Sequence, residues 1–475
     1  MLGPLGRFLK FPFFVRLLLV LLVLQLTFYF STRKYALKTR MKSVAQTQTH
    51  ILNKTMVIPA LASEGSWQTV VPENSQHKYL VFSAFLDVRN GRSIRIIAVT
   101  KTSTRKKGLV KPWCKLWYET PESGLNSKLV EGELKIIQEH WQLPYSPYYV
   151  TCPLSENESI PLMVSLLNDP AEEPLNMLKV ISNYPEGKKW DANELEPDVK
   201  KMAVCVKPLH YDYNKELEFL EFIELHRIMG ADHFILYNHT VGPQVNCLLK
   251  KYQQQGIVTV LPWELPIQSQ KDIRTEGIFA SLNDCLFRTM YKFSHVIFLD
   301  FDEFIIPTNH YNYRELFRYL HEKYNNKKTS WFSFKNAFFY RQWPDDPAVQ
   351  EFEDPLEKQL LALRKTTRMV KLHAHGTRSK LIVRPDLVDM VGNHIIWAYY
   401  NHKVFRKMDV APEDAILHHY RICEFGGNDC VKHPSTVDRS AYRYRDALLK
   451  AVKTRHEDHF DECQLSKIEG SKYPS

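Results

Sequence analysis

Glycine is scarce in this chain, 17 of 475 residues. None of it falls into G-x-G-x-x-G or G-x-x-x-x-G-K-[ST], so the backbone cradles of dinucleotide dehydrogenases and P-loop ATPases are missing. No two of the eight cysteines stand in C-x-x-C spacing, which removes the common structural-zinc patterns. No internal repeat is evident. Acidic residues are absent from positions 1–42, which hold Arg7, Lys10, Arg16, Arg33, Lys34, Lys38, Arg40 and Lys42. Taking that +8 from the net +10 leaves +2 on the rest of the chain, so the charge does not argue for a nucleic-acid partner.

What is present is a globular composition, 44% hydrophobic and 12% aromatic, with length for two ordinary domains. Leu17–Phe30 reads LLLVLLVLQLTFYF, and Phe11–Val15 extends it across Arg16. With Arg16 snorkelling, positions 11–30 make a transmembrane anchor behind a cytoplasmic tail at 1–10. The stretch ends in bulky Tyr29 and Phe30 rather than small residues, which favours an uncleaved anchor over a signal peptide. Three positive charges precede the apolar core and five follow it, a balance that by itself would leave the C-terminus in the cytosol. Glycan acceptor triplets at Asn53, Asn157 and Asn238 and an even number of cysteines favour the lumenal side instead. Disulfides are the expectation for those cysteines, buried thiols the alternative.

Residues 31–75 lack a sustained period and read as a stem. Over 76–200 short β-rich runs such as Tyr79–Val88 and Ser93–Thr100, split by Asn90-Gly91, predict an antiparallel accessory region. After the polar stretch Pro185–Pro197 the texture changes. Met202–Val206, Phe234–Tyr237, Ile257–Leu261 and Val296–Leu299 read as strands. Helices are expected over Lys215–Met229, capped by Asn214 and ended by Gly230, between Pro243 and Gly256, and over Thr275–Met290. That alternation predicts a parallel, Rossmann-like α/β domain over 201–445, with 446–475 left as a C-terminal tail.

The sharpest local signal is the run from Val296 to Phe304, where a buried strand ends in Asp300, Asp302 and Glu303. In open α/β sheets ligands bind beyond the carboxyl ends of the strands. Extended backbone would point Asp300 and Asp302 to one side and Glu303 to the other. Two carboxylates sharing a face suit a hard cation, Mn²⁺ or Mg²⁺, which can hold a nucleotide diphosphate and polarise its leaving group. The plainer alternative is a solvated acidic turn.

Several further motifs occur in a set order: Lys207-Pro208 through Asn238, Asn283-Asp284-Cys285-Leu286, FLDFDEFIIP at 298–307, SKLIVRP at 379–385 and HHYR at 418–421. In these the chain resembles glycosyltransferase family 92 over roughly 200–440. The resemblance implies a GT-A fold and transfer from UDP-galactose to form β-galactosides, hence inversion. The overall arrangement is also similar to enzymes that add β1,4-galactose to galactose. It implies a Golgi type II membrane enzyme with a lumenal catalytic domain, acting on a glycoprotein or glycolipid glycan. Asp302 is then the expected metal ligand, Asp300 a ribose or water-mediated metal contact, and Glu303 a support for the loop. His419 is the expected further ligand, with His394 as substitute. Lys207, Lys380 and Arg384 are expected around the donor's uridine and diphosphate. The general base is open among Asp345, Asp346 and Glu424, with Glu424 taken first. Trp331, Phe338, Phe339, Tyr340 and Trp343 are either core or sugar-stacking residues. A non-catalytic glycan-binding protein on the same fold is the rival reading, disfavoured by the intact acids. A metal-dependent phosphohydrolase is disfavoured by the unrelated motifs.

Overall fold

The computed structural model describes residues 58–468 except 62, 71–77, 103–110, 121–123, 186 and 425–426. The expected anchor, the cytoplasmic tail, most of the stem and Asn53 lie outside the described residues. Among the described residues no helix is long and apolar enough to cross a membrane.

The fold is mixed α/β. Its central sheet has seven strands in the order Val258–Pro262, His233–Asn238, Met202–Val206, His295–Leu299, Lys380–Val383, Thr329–Phe334 and Arg406–Asp409. The first four run parallel. Met202–Val206 and His295–Leu299 are buried at every position, which is why both read as nearly unbroken apolar runs. In chain order these four strands are third, second, first and fourth, so the winding reverses between the last two. Register sets Val206 beside Leu299 there, and the following residues, Lys207 and Asp300, leave the sheet together. Such a reversal opens a crevice beyond the strand ends.

A second sheet joins Glu303–Pro307, Ala415–Arg421 and Asn336–Tyr340. His419 lies at its centre, opposite Glu303 on one side and Phe338 on the other.

Residues 68–181 build a nine-stranded sheet, antiparallel except where Tyr79–Asp87 meets Leu178–Ile181. The turn at Asn90-Gly91 joins two of its longest strands, with Gly91 at φ +80°. Helix Ile278–Thr289 is buried along its whole length between this sheet and the central one. Its polar residues are therefore paired. Asn283 accepts from Tyr149 Oη (2.5 Å) and from the Val391 N–H (2.9 Å). Asp284 accepts from Tyr237 Oη (2.6 Å), Arg288 Nε (3.0 Å) and Ser83 Oγ. Cys285 is bonded to Cys205 in the neighbouring strand. The Asn-Asp-Cys motif is thus a fastening between layers.

All eight cysteines pair, 114 with 152, 205 with 285, 247 with 463 and 423 with 430. The segment expected as a C-terminal tail instead opens within a 19-residue helix, Arg445–Cys463, which buries Leu448 and Val452. Only four of its residues are buried, too sparse a stripe to stand out in sequence. Asn214 also departs from expectation. Lys215 precedes helix Glu216–Ile228 without a side-chain cap, and Asn214 Oδ1 accepts from Val245 N (3.2 Å) at the start of helix Pro243–Gln254. Gly242 permits this, since a Cβ there would lie 2.2 Å from Asn214. Asn157 is exposed in a turn, whereas Asn238 ends a core strand with its Oδ1 buried.

Candidate active site

The carboxyl ends of the central strands open into a cavity of about 880 Å³ whose wall includes Lys207, Asp300, Asp302, Arg341, His394 and His419. Asp300 sits between two ammonium groups, Lys207 Nζ at 2.7 Å from Oδ2 and Lys380 Nζ at 3.2 Å from Oδ1. Burial would push its carboxyl up, but the two lysines overcome that and hold it well below the usual range. Burial likewise pulls Lys380 down, and Asp300 with Glu303 more than offsets it, to about 12.

Residues 300–303 do not continue as extended chain. Glu303 N donates to the Asp300 carbonyl (3.1 Å), and Asp300 N donates to Glu303 Oε2 (2.9 Å), closing a turn. The alternation expected of a strand is lost. Glu303, 1% exposed, therefore folds back beneath the same cluster, 3.3 Å from Lys380 Nζ and 3.2 Å from His419 Nδ1. Burial holds its carboxyl above the usual range, with Lys380 opposing.

Asp302 remains 34% exposed and faces the cavity, its Oδ2 3.4 Å from His419 Nε2. Tyr420 N donates to the Asp302 carbonyl (2.8 Å), so the strand that carries His419 also holds the turn. Burial opposes ionisation of Asp302, but His419 lowers its carboxyl below the usual value. On the far side of the ring, Nδ1 meets Glu303 and the Asn336 amide (3.1 Å). Nδ1 is thus engaged by Glu303 and Asn336, and Nε2 is the ring nitrogen on the Asp302 side. Metal-binding histidines are commonly oriented in this way.

Among the described residues no three His, Cys, Asp or Glu side chains are already gathered as a cation cage. The donor set still fits a hard divalent cation. One carboxylate and one imidazole nitrogen face the same cavity, and ions of this class complete their shell with phosphate oxygens and water. Both oxygens of Asp300 are engaged by lysines.

Arg384 is a clear departure from expectation. Strand Lys380–Val383 runs antiparallel to its neighbour, so Lys380 lies at the site and Arg384 at the opposite edge of the sheet. There it donates to the carbonyls of Lys327 (2.8 Å) and Leu195 (2.9 Å) and lines a separate cavity of about 450 Å³. Glu424 is tied to Arg378 (2.7 Å) and Arg421 (3.0 Å), and those arginines rather than Glu424 line the larger cavity. Asp345 pairs with Lys365 (2.7 Å), while Asp346 accepts from Ala348 N and Arg439. Neither lines the cavity. His394 does, with Nδ1 donating to the Ser379 carbonyl (3.0 Å); burial and Lys380 lower it to about 4, leaving it neutral. Trp331, Phe338, Phe339, Tyr340 and Trp343 are all buried and belong to the core.

Sequence reasoning missed Glu218 and Arg341, a two-pronged pair at 2.6 and 2.9 Å in the cavity wall. Only the acidic first turn of helix Glu216–Ile228 hinted at Glu218. Asn393, which accepts from Lys380 Nζ (3.0 Å), is a further site residue with no local signal in the sequence.

The stretch that carries the ordered motifs and this cluster is also the stretch that the model of Glycosyltransferase family 92 matches, residues 200–462. The chain belongs to glycosyltransferase family 92. Among curated proteins it is similar to Glycosyltransferase family 92 protein F13G3.3 of Caenorhabditis elegans, 22% identical over 305 residues, 62% of this chain and 53% of that protein. It is also similar to Beta-1,4-galactosyltransferase galt-1 of the same organism, 28% identical over 109 residues, 22% of this chain and 25% of that protein. The chain thus spans about half the length of the first and a quarter of the second. Solved structures to which this chain is similar include glucosyl-3-phosphoglycerate synthase from Mycobacterium tuberculosis with Mn²⁺, UDP and glucosyl-3-phosphoglycerate. That match has 12% identity and a TM-score of 0.24, covering 60% of this chain and 87% of the other. S. aureus TarS with UDP-GlcNAc matches at 11% identity and a TM-score of 0.26, covering 54% and 73%. Superpositions this loose decide nothing about chemistry.

Proposed function

We propose that this family 92 glycosyltransferase moves galactose from UDP-galactose, with inversion, onto a terminal sugar of a glycoprotein or glycolipid glycan, forming a β1,4 linkage. The observation that carries the reading is the convergence of Lys207, Asp300, Asp302 and His419 beyond the strand reversal, where an α/β sheet binds its ligand. The name of the galt-1 relative supports the choice of galactose. A divalent cation held by Asp302 and His419 would supply Lewis-acid stabilisation of the departing diphosphate. Lys207 offers the same phosphates a cation at the end of the first strand, as Arg378 and Arg421 do from the cavity wall. Asp300, locked by two lysines, is set to accept from the ribose hydroxyls. Glu218, whose carboxyl Arg341 holds below the usual value against burial, is ionised and faces the cavity, where an acceptor hydroxyl requires a proton acceptor.

The deciding experiment supplies full-length enzyme and Mn²⁺ with UDP-galactose, UDP-glucose or UDP-N-acetylglucosamine and a galactose-terminated acceptor. UDP-galactose should be consumed first and yield a β-galactoside. A clear preference for another sugar nucleotide would overturn the choice of donor.

A further inference from the structure

Just beyond the accessory sheet, one carboxylate touches a loop that lines the cavity. Beyond strand Glu133–Ile136 the chain passes through Glu139, Trp141 and Gln142 at φ 66°, 55° and 56°. Non-glycine residues seldom adopt this region, and they keep it only where the surroundings over-determine it. Those surroundings belong to the family 92 domain. Gln138 N meets Met390 Sδ (3.4 Å), Trp141 lies against the Arg274 guanidinium (4.6 Å), and Tyr145 N donates to the Asp272 carbonyl (2.8 Å).

At the centre of this strap, Glu139 Oε1 accepts from Trp397 Nε1 (2.8 Å) and from the Asn393 backbone N–H (3.3 Å). Gly392 leaves room for that contact. A Cβ there would lie 2.2 Å from Glu139 Oε1 and 2.5 Å from Trp397 Nε1. Asn393 then faces the site: its Oδ1 accepts from Lys380 Nζ (3.0 Å), the ammonium that bridges Asp300 and Glu303. A continuous line of contacts runs from the accessory sheet to the acidic turn.

We propose that Glu139 is a positioning residue of the transferase, fixing the 392–394 loop so that Asn393 keeps Lys380 between Asp300 and Glu303. The accessory sheet is on this account part of the catalytic apparatus and not a spacer. The proposal rests on the reading of the cavity as the sugar-nucleotide site.

The test compares Glu139→Ala, Glu139→Gln and Gly392→Ala in the full-length chain. Alanine at 139 removes the acceptor shared by Asn393 and Trp397 and should lower kcat about tenfold with KM for the donor little changed, as for lost outer supports of a reactive site. Glutamine keeps an oxygen in place and should restore turnover. Gly392→Ala should expel Glu139 and reproduce the loss, and the double variant with Glu139→Ala should cost nothing more. Amide exchange over 392–397 should speed up in the alanine variants and not in Glu139→Gln. Wild-type turnover in Glu139→Ala, or a Glu139→Gln variant as impaired as the alanine, would overturn the proposal. Wild-type protein that neither binds UDP nor transfers sugar would overturn the reading of the cavity, and the exchange pattern would still decide whether Glu139 holds the loop.

Discussion

Asp302 is the carboxylate of the acidic turn that stays open to the cavity, so its removal should act on rate more than on folding. Asp302→Asn keeps size and shape but loses an anionic ligand. If the carboxylate supports charge on the departing diphosphate, turnover should fall roughly 100-fold, about 3 kcal/mol in the barrier, with melting nearly unchanged. EDTA should abolish wild-type activity and Mn²⁺ should restore it; full turnover in EDTA would remove the cation from the reading. Strand alternation would have made Glu303 the milder site. The turn reverses that expectation, because Glu303→Gln strips a buried acceptor from Lys380, His419 and Asp300 N, and should also cost about 1–3 kcal/mol of stability. Away from the cavity, Glu221 accepts from the N–H groups of Leu361 and Ala362 (2.7 Å each) in full burial, and burial outweighs them, raising its carboxyl to about 7. The folded state therefore holds a proton that the unfolded chain, titrating near 4.5, gives up sooner. Its contribution to stability is complete below pH 4.5 and is lost as pH rises through 7, on the order of 3 kcal/mol. Melts of wild type and Glu221→Gln at pH 5 and pH 8 should show wild type losing ground at the higher pH, and parallel curves would refute the shift.

At the scale of elements, helix Ile278–Thr289 carries the junction between the two sheets. Its side chains read in sequence as a helix, but nothing in their spacing says that both faces are covered, since the second cover comes from strands far upstream. Asp284→Ala should leave Arg288 and the Tyr237 hydroxyl without their carboxylate and destabilise by about 3–5 kcal/mol, seen as a lowered melting point and poor yield. A variant that melts with wild type would show the network to be dispensable. The strands beginning at Met202, His233, Val258 and His295 were legible to within a residue because apolar runs and helix punctuation are local signals. The position of strand Lys380–Val383 was not. Its antiparallel entry beside His295–Leu299 sends Lys380 to the site and Arg384 away from it.

For the whole molecule, the lumenal side expected from the sequence can be tested at Asn157, which is exposed. Cells expressing the full chain should show an endoglycosidase-sensitive band that shifts in Asn157→Gln, with the C-terminal body protected from protease in sealed vesicles. Protease access from the cytosol together with unchanged mobility would overturn that orientation. The sequence by itself determined the α/β alternation, the acidic run at the end of a buried strand and the family, because periodicity, strand ends and ordered motifs are written in neighbouring residues. Only the tertiary structure decided which charged groups meet. Lys207, Lys380, His419 and Glu139 come from separate strands and loops, and their pairing follows from sheet order, strand direction and register. Many alternative pairings of 63 basic and 53 acidic residues satisfy the same composition, and only packing selects among them.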